Sequence, residues 1–304
     1  LLFLSGRDLE EVLRANEAVE AVAEAFRQYS SGEITQPPRQ VLNVIGRWWG
    51  VMTSYSRDYF VLKLVNVIEE NRLVGLPSVQ GVVLLLSSKD GSPLAIMDGT
   101  TLTAIRTAAA SVLSTELASG RNVDVLGVIG AGIQARYHIK LATSYLKVGR
   151  VLIAARTNHM KLAREVGGEA SELTKLLTKS SVIFSTTSSN SPVVLGKYLG
   201  ADFHVVSVGA HTPDSRELDD EVIRRARTFM VDSIEAASKE TGDVIEPMKA
   251  GLLRELVEIG KALREGKVER PSIFKTVGIA AEDNLSAVRA YENALRRGIG
   301  KVLM

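Results

Sequence analysis

The stretch Val125-Leu126-Gly127-Val128-Ile129-Gly130-Ala131-Gly132-Ile133-Gln134-Ala135 constrains this chain more than any other. An apolar run feeds a G-x-G-x-x-A turn, and a segment of helical periodicity follows. That order is the strand–turn–helix context in which a glycine fingerprint binds a dinucleotide. Gly130 permits the tight turn, and Gly132 lets backbone approach a pyrophosphate. Ala135 is small enough for the helix to pack closely on the strand. Ile133 and Gln134 open that helix, whose first N–H groups lack intrahelical partners and suit a phosphate. The alternative for the same residues is an ordinary βα turn with no ligand.

The alternation continues beyond this turn. Strand-like runs near 123–129, 150–155, 181–186, 203–208 and 228–232 are separated by helical segments, which predicts a parallel sheet with helices on both faces. The stretch 167–180 is short for a full βα unit, so one strand there is expected to be short or absent. The first third reads differently. Residues 8–31 carry the three-or-four spacing of an amphipathic helix, which Gln36-Pro37-Pro38 breaks. Runs 40–45, 48–54 and 59–68 read as strands, with Gly46-Arg47 as the first hairpin turn. Residues 81–87 and 93–97 pair around Lys89-Asp90-Gly91-Ser92. An Ala-rich helix is expected over 100–119, capped by Asp98 or Thr100 and ended by Gly120. Helices over 249–265 and 279–297 flank a strand-like 272–275. The expected class is α/β: a Rossmann-type dinucleotide-binding domain over 120–270, and an α+β domain over 1–119 that 271–304 rejoins.

The chain has 304 residues, enough for two such domains. A formal net charge of +2 gives no electrostatic footprint for nucleic acid or a membrane surface. The basic cluster Arg224-Arg225-Ala226-Arg227 reads as a helix end, where cations complement the dipole. Cysteine is absent, which excludes disulfides, thiolate chemistry and Cys-containing zinc sites. His138, His159, His204 and His211 lack H-E-x-x-H spacing, so no metal is expected. No apolar run is long enough to span a bilayer, and Leu-Leu-Phe-Leu is too short for a signal-peptide core. A cytoplasmic location is the expectation.

Several residues are candidates for chemistry. The run Arg150–Ala155 ends at Arg156-Thr157-Asn158, with no acid before Glu165. An NAD site commonly offers a carboxylate here to the ribose 2′-OH, whereas Arg pairs with a 2′-phosphate. NADP(H) is therefore favoured, with NAD(H) possible; a solvated strand-end arginine is the bland alternative. Lys63 shares a strand face with Val61, Val65 and Val67. There it is either a desolvated proton donor or acceptor, or a side chain snorkelling from an edge strand. Arg106 stands among small apolar residues of the 100–119 helix and suits bidentate capture of a carboxylate. Arg39, after Pro37-Pro38, is a weaker candidate of the same kind. Val208 ends the 203–208 run and His211 follows it, where ligands of open α/β sheets bind. His211 can exchange protons near neutral pH, or be a structural turn residue.

These motifs coincide in order. Pro37-Pro38-Arg39, Lys63-Leu64-Val65-Asn66 and Asp98-Gly99 leading to Leu102–Ala109 are followed by Gly130–Ala135. Then come Val208-Gly209-Ala210-His211-Thr212-Pro213-Asp214, Arg216-Glu217-Leu218-Asp219, Phe274-Lys275 and Gly278–Asp283. Over nearly its whole length the chain resembles the ornithine cyclodeaminase/mu-crystallin family, which includes archaeal alanine dehydrogenases and ketimine reductases. The resemblance implies a homodimer whose first domain carries substrate contacts and the dimer interface. It implies that Arg39, Lys63 and Arg106 hold the carboxylate and imine region of the substrate. It also implies that Thr107, Val208 and the 130–135 turn meet the cofactor, with Arg156-Thr157-Asn158 as an NADP(H)-type ribose site. Ornithine cyclodeaminases carry acids where this chain has Gly50 and His211, and a distal ammonium would lack a counter-charge here. The resemblance thus implies an NAD(P)(H)-dependent amino-acid dehydrogenase or imine reductase, with Lys63 and His211 as the catalytic candidates. Cyclodeamination of ornithine to proline, and non-catalytic NADPH binding, are the rival readings.

Overall fold

The structure, a computed structural model, describes residues 1–266 and 268–303; Lys267 and Met304 of the expected domains lie outside the described residues. Two compact units emerge, Leu1–Arg106 with Ile279–Met304, and Thr107–Gly278. Among the described residues no helix is long and apolar enough to cross a membrane.

The first unit is built on a seven-stranded mixed sheet. Its order is Lys301–Val302, Leu2–Leu4, Pro93–Asp98, Val79–Ser87, Tyr59–Val67, Arg47–Tyr55 and Gln40–Val44. Neighbours are antiparallel except Leu2–Leu4 with Pro93–Asp98. The N-terminal leucines, too short to read alone, are thus a strand with Leu2 and Leu4 buried. Along Tyr59–Val67 the alternation places Val61, Lys63 and Val65 on the buried face. Helix Ala280–Arg297 packs on this strand, on Arg47–Tyr55 and on helix Ala15–Ser31. The final helix therefore returns to the first unit.

In this unit the structure departs from the sequence pattern at two places. The expected 8–31 helix is two helices, Gly6–Val12 and Ala15–Ser31. Leu13 leaves helical geometry, and Glu17 Oε2 accepts from the Arg14 amide at 2.9 Å, starting a second helix. The first hairpin turns at Ile45-Gly46 rather than Gly46-Arg47, because Val44 pairs with Arg47. Both turn residues have positive φ, 51° and 71°, as a two-residue primed turn requires.

The second unit holds an eight-stranded, fully parallel sheet. Its order is Val257–Glu258, Thr228–Val231, Ser272–Lys275, His204–Ser207, Val182–Ser185, Asn122–Ile129, Lys147–Ala154 and Glu169–Ala170. Strands buried on both faces read as continuous apolar runs, and Val182–Ser185 and His204–Ser207 are buried at every residue. Glu169–Ala170, in the stretch expected to be short, has two residues. Ser272–Lys275 inserts between His204–Ser207 and Thr228–Val231, so the chain stays in this unit through Gly278. The expected 249–265 helix is replaced by helix Gly242–Lys249, a break, the strand Val257–Glu258 and helix Ile259–Glu265. Gly251 at φ +68° ends the first of these, since a left-handed residue cannot continue a helix.

Candidate active site

The glycine turn sits at the carboxyl edge of the parallel sheet. Asn122–Ile129 ends, the Gly130 amide donates to Ala154 O at 2.8 Å, and Gly132 caps helix Ile133–Tyr145. Gly130 has φ +120°, and a Cβ there would lie 2.6 Å from Thr186 Oγ1. Space and backbone both demand glycine. At Gly132 the constraint is opposite in kind. Its φ is ordinary, and a Cβ would point into open space. Glycine there keeps the backbone approachable, and no side chain caps the helix it begins. The turn fits a pyrophosphate: an open cradle facing a helix N-terminus. Ala135 is buried, as the expected close packing of helix on sheet requires.

At the neighbouring strand end, Arg156, Thr157 and Asn158 are exposed. Asn158 has φ +63° and begins helix His159–Val166. Asparagine tolerates that conformation better than most residues, so the loop bends sharply after Arg156.

Beyond His204–Ser207 the chain reaches half-buried Val208 and His211. The Val208 amide still donates to Ser185 O at 2.9 Å. His211 Nδ1 lies 2.8 Å from Gly209 O. A carbonyl only accepts, so Nδ1 carries a proton, and in the neutral ring Nε2 is the acceptor. His138 and His204 are scaffold residues instead. His138 donates from Nδ1 to Gln134 O and meets Ser111 Oγ through Nε2; His204 lies between Ser272 and Ser114 hydroxyls. Burial pushes His138 down to about 4 and His204 to about 3, so both are neutral.

In the first unit, the structure gathers the three expected cations and adds two acids that sequence reasoning missed as site residues. Lys63 is buried, and its Nζ lies 2.6 Å from Asp283 Oδ2. Arg106, also buried, donates from Nε to Asp283 Oδ1 and from Nη1 to Glu282 Oε2, both at 3.1 Å. Glu282 and Asp283 are fully buried in the first turn of helix Ala280–Arg297. Glu282 Oε1 also accepts from the Ile279 amide at 2.9 Å, which locks the carboxylate in place. Gln36 Oε1 accepts from the Ala281 amide at 2.8 Å, tying the loop that carries half-buried Arg39 to the same helix end. Burial, then the Arg106 charge and later Arg39, push the Lys63 ammonium down to about 8; Asp283 opposes them. Lys63 therefore does not snorkel. It is a buried, ion-paired amine that titrates close to neutral pH. The signal that could have found its partner is a pair of adjacent acids opening an otherwise Ala-rich helix, where the dipole favours them.

Gly50 lies on the strand paired with Tyr59–Val67. A Cβ at Gly50 would come 2.4 Å from the Trp48 ring. The indole fills the space that an acidic side chain at this position would need.

A family model matches residues 2–298, and its description is the ornithine cyclodeaminase/mu-crystallin family. Ketimine reductase mu-crystallin of Mus musculus is 36% identical over 304 residues, 96% of each chain. Among solved structures, Thermococcus litoralis Δ1-pyrroline-2-carboxylate reductase, in complex with NADH and L-proline, is 33% identical with a TM-score of 0.92, covering 100% of both chains. An archaeal alanine dehydrogenase dimer with bound NAD is 29% identical with a TM-score of 0.89, covering 99% of this chain and 98% of that one. Sequence and fold agree end to end, and the chain belongs to the ornithine cyclodeaminase/mu-crystallin family.

Proposed function

We propose that this protein is an NAD(P)(H)-dependent oxidoreductase acting on the C–N bond of a small 2-amino or 2-imino acid, with NADP(H) preferred. The observation that carries the reading is Lys63: a buried amine on a strand, paired with Asp283 and held at about 8. The similar mu-crystallin and pyrroline-carboxylate enzymes are named as reductases of ketimines and cyclic imines, which supports it. The 130–135 turn would hold a nicotinamide dinucleotide, which would supply the hydride chemistry.

The protein's own residues do the rest. Arg39 and Arg106 hold the substrate carboxylate, Arg106 from a guanidinium already braced through Nε and Nη1. Lys63 gives a proton to the imine nitrogen in reduction and takes it back in oxidation; an amine at about 8 does both near neutral pH. Asp283 keeps enough of it protonated to serve as donor. His211 orders water or assists that transfer. Gly130, Gly132, Ile133, Gln134 and Ala135 hold the pyrophosphate, Thr107 and Val208 complete the cofactor contacts, and Arg156, Thr157 and Asn158 meet the 2′-phosphate.

Cyclodeamination is disfavoured by Gly50, whose site is filled by Trp48, and by an imidazole at 211. The deciding experiment supplies a cyclic 2-imino acid with NADPH and, separately, L-ornithine with NAD. Oxidation of NADPH without proline formation from ornithine supports the proposal; robust proline formation overturns it. Binding of NADPH with no turnover on any amino, imino or 2-oxo acid would leave only a ligand-binding role.

The first unit also offers a face for a second copy. Edge-strand residues Val41, Leu42 and Val44, the turn residue Ile45, and Leu73, Val74 and Leu76 are apolar and exposed. An edge this apolar is an association surface, and the archaeal alanine dehydrogenase is described as a dimer. A homodimer through this face predicts that Leu42→Glu lowers the mass seen in light scattering.

A further inference from the structure

The parallel sheet carries a buried polar row that the proposed chemistry leaves unused. Register aligns Ser185, Ser207 and Lys275 on three adjacent strands, so their side chains leave the same face. Two buried carboxyls meet the row: Glu217, ahead of helix Asp220–Arg225, and Asp243, in the first turn of Gly242–Lys249. Glu217 Oε1 accepts from Ser185 Oγ (2.7 Å), Thr187 N (2.8 Å) and Thr187 Oγ1 (2.8 Å). Its Oε2 accepts from Gly209 N (2.7 Å) and lies 2.9 Å from Ser207 Oγ. Asp243 Oδ1 accepts from the Glu217 and Leu218 amides at 2.9 and 3.0 Å, and Oδ2 lies 2.6 Å from Ser207 Oγ. Lys275 Nζ is 3.1 Å from Ser207 Oγ and 3.8 Å from Asp243 Oδ2.

The hydrogens available to this group limit its protonation. A serine hydroxyl has one hydrogen and two lone pairs. Ser207 faces two carboxyl oxygens and one ammonium, and the ammonium only donates. With both carboxyls ionised, one of the two short oxygen–oxygen approaches would contain no hydrogen. A single proton closes the count: Asp243 and Lys275 donate to Ser207, and Ser207 donates to Glu217. Asp243 is the carboxyl that holds it. Glu217 uses both oxygens as acceptors, to two amides and to the Ser185 and Thr187 hydroxyls, whereas Asp243 accepts its two amides through Oδ1 and leaves Oδ2 to Ser207, with Lys275 Nζ 3.8 Å away. Burial favours the neutral form of Asp243. Burial pushes the Lys275 ammonium down, and Asp243, Glu217 and Asp232 oppose that push; Asp232 accepts from the Ser233, Val277 and Gly278 amides and the Thr276 hydroxyl. His138, which senses Glu217, is neutral.

Glu217 ties together two loops. Through Thr187 and Gly209 it holds the segments following Val182–Ser185 and His204–Ser207, and the second leads to His211. The loops touch so closely that a Cβ on Gly209 would stand 1.7 Å from Thr187 O. We propose that Asp243 is a neutral carboxylic acid at neutral pH, and that its proton, through Ser207 and Glu217, positions the loops carrying Val208 and His211. The cofactor consequence rests on the proposed function; the protonation state does not.

The test uses the full-length protein without added ligand first. The infrared spectrum at neutral pH should show the carbonyl stretch of a protonated carboxylic acid, absent in Asp243→Asn and kept in Asp232→Asn. In hydrogen exchange, Glu217→Gln should speed the Thr187 and Gly209 amides. Asp243→Asn should leave them slow, because its amide reproduces the donor and acceptor of the neutral acid. NADPH titrations then read the consequence. Glu217→Gln weakens binding by about tenfold or more, and the parent loses affinity at alkaline pH where Asp243→Asn stays flat. No band removed by Asp243→Asn, or exchange accelerated by Asp243→Asn as much as by Glu217→Gln, overturns the neutral acid. Unchanged exchange in Glu217→Gln overturns the positioning role. Failure of the parent to bind NADPH overturns the cofactor reading alone.

Discussion

Both units bury a lysine on a strand next to two carboxyls, and they use it in opposite ways. In the first, Lys63 and Arg106 balance Glu282 and Asp283 in direct ion pairs at 2.6–3.1 Å. In the second, Lys275 stands 3.8 Å from Asp243, with the Ser207 hydroxyl between the carboxyls and backbone amides holding both. The first cluster keeps a proton on a group that can part with it. The second spends its acceptors on backbone and hydroxyl donors, so it fixes loops. A buried ion pair is weak evidence for stability; what its carboxylates bind tells more about its task.

The largest expected effect separates the two directly. Lys63→Met should lower imine reduction by about 100-fold or more, the usual worth of a general acid, with NADPH affinity preserved. Loss of cofactor binding with turnover intact would reverse the roles assigned to the two clusters.

Acid should act on the other unit. His138 and His204 are held at about 4 and 3, below the ordinary 6.5. Between those values and 6.5 the unfolded chain binds more protons than the folded one, so stability falls as pH falls through that window. Across the whole window the loss is about 3 kcal/mol for His138 and about 5 kcal/mol for His204. Hydrogen exchange near pH 5 should deprotect Val182–Ser185 and His204–Ser207 before Tyr59–Val67 and Val79–Ser87. Earlier loss in the mixed sheet would contradict this.

A smaller effect concerns the strand end after Ala154. Arg156→Asp should cut the preference for NADPH over NADH by about tenfold, the worth of one charge-assisted contact. Calorimetry giving equal affinities for the two cofactors in the parent would refute the assignment.

The smallest effect sharpens the account of Lys63. A donor must be protonated, so imine reduction should decline as pH rises through about 8. Asp283 opposes the downward push on Lys63, so Asp283→Asn should move that decline to lower pH by about one unit. An unmoved limb would give the titration to another group.

Much of this was legible in the residues. The glycine turn, the βα alternation and the apolar face around Lys63 are local patterns, governed by φ, by side-chain volume and by a period of two or 3.6. The sheet confirms each, including the two-residue strand in the 167–180 stretch. Local readings went astray where two signals compete over a few residues. At Leu13 apolar periodicity runs on while Glu17 starts a new helix, and at Ile45 a β-branched residue takes a left-handed place beside Gly46.

The sequence by itself determined that a glycine cradle follows a buried strand, and that a lysine and an arginine occupy faces where charge is costly. It did so because desolvation and backbone geometry act on the residue in place. Only the tertiary structure decided what answers those charges. Asp283 reaches Lys63 because the last helix packs on the first unit's sheet, and Ser207 meets Glu217 and Asp243 because register and a crossover helix bring them together. Ion pairs and shared protons depend on distances of a few ångströms between segments far apart in the chain, and no local pattern encodes such distances.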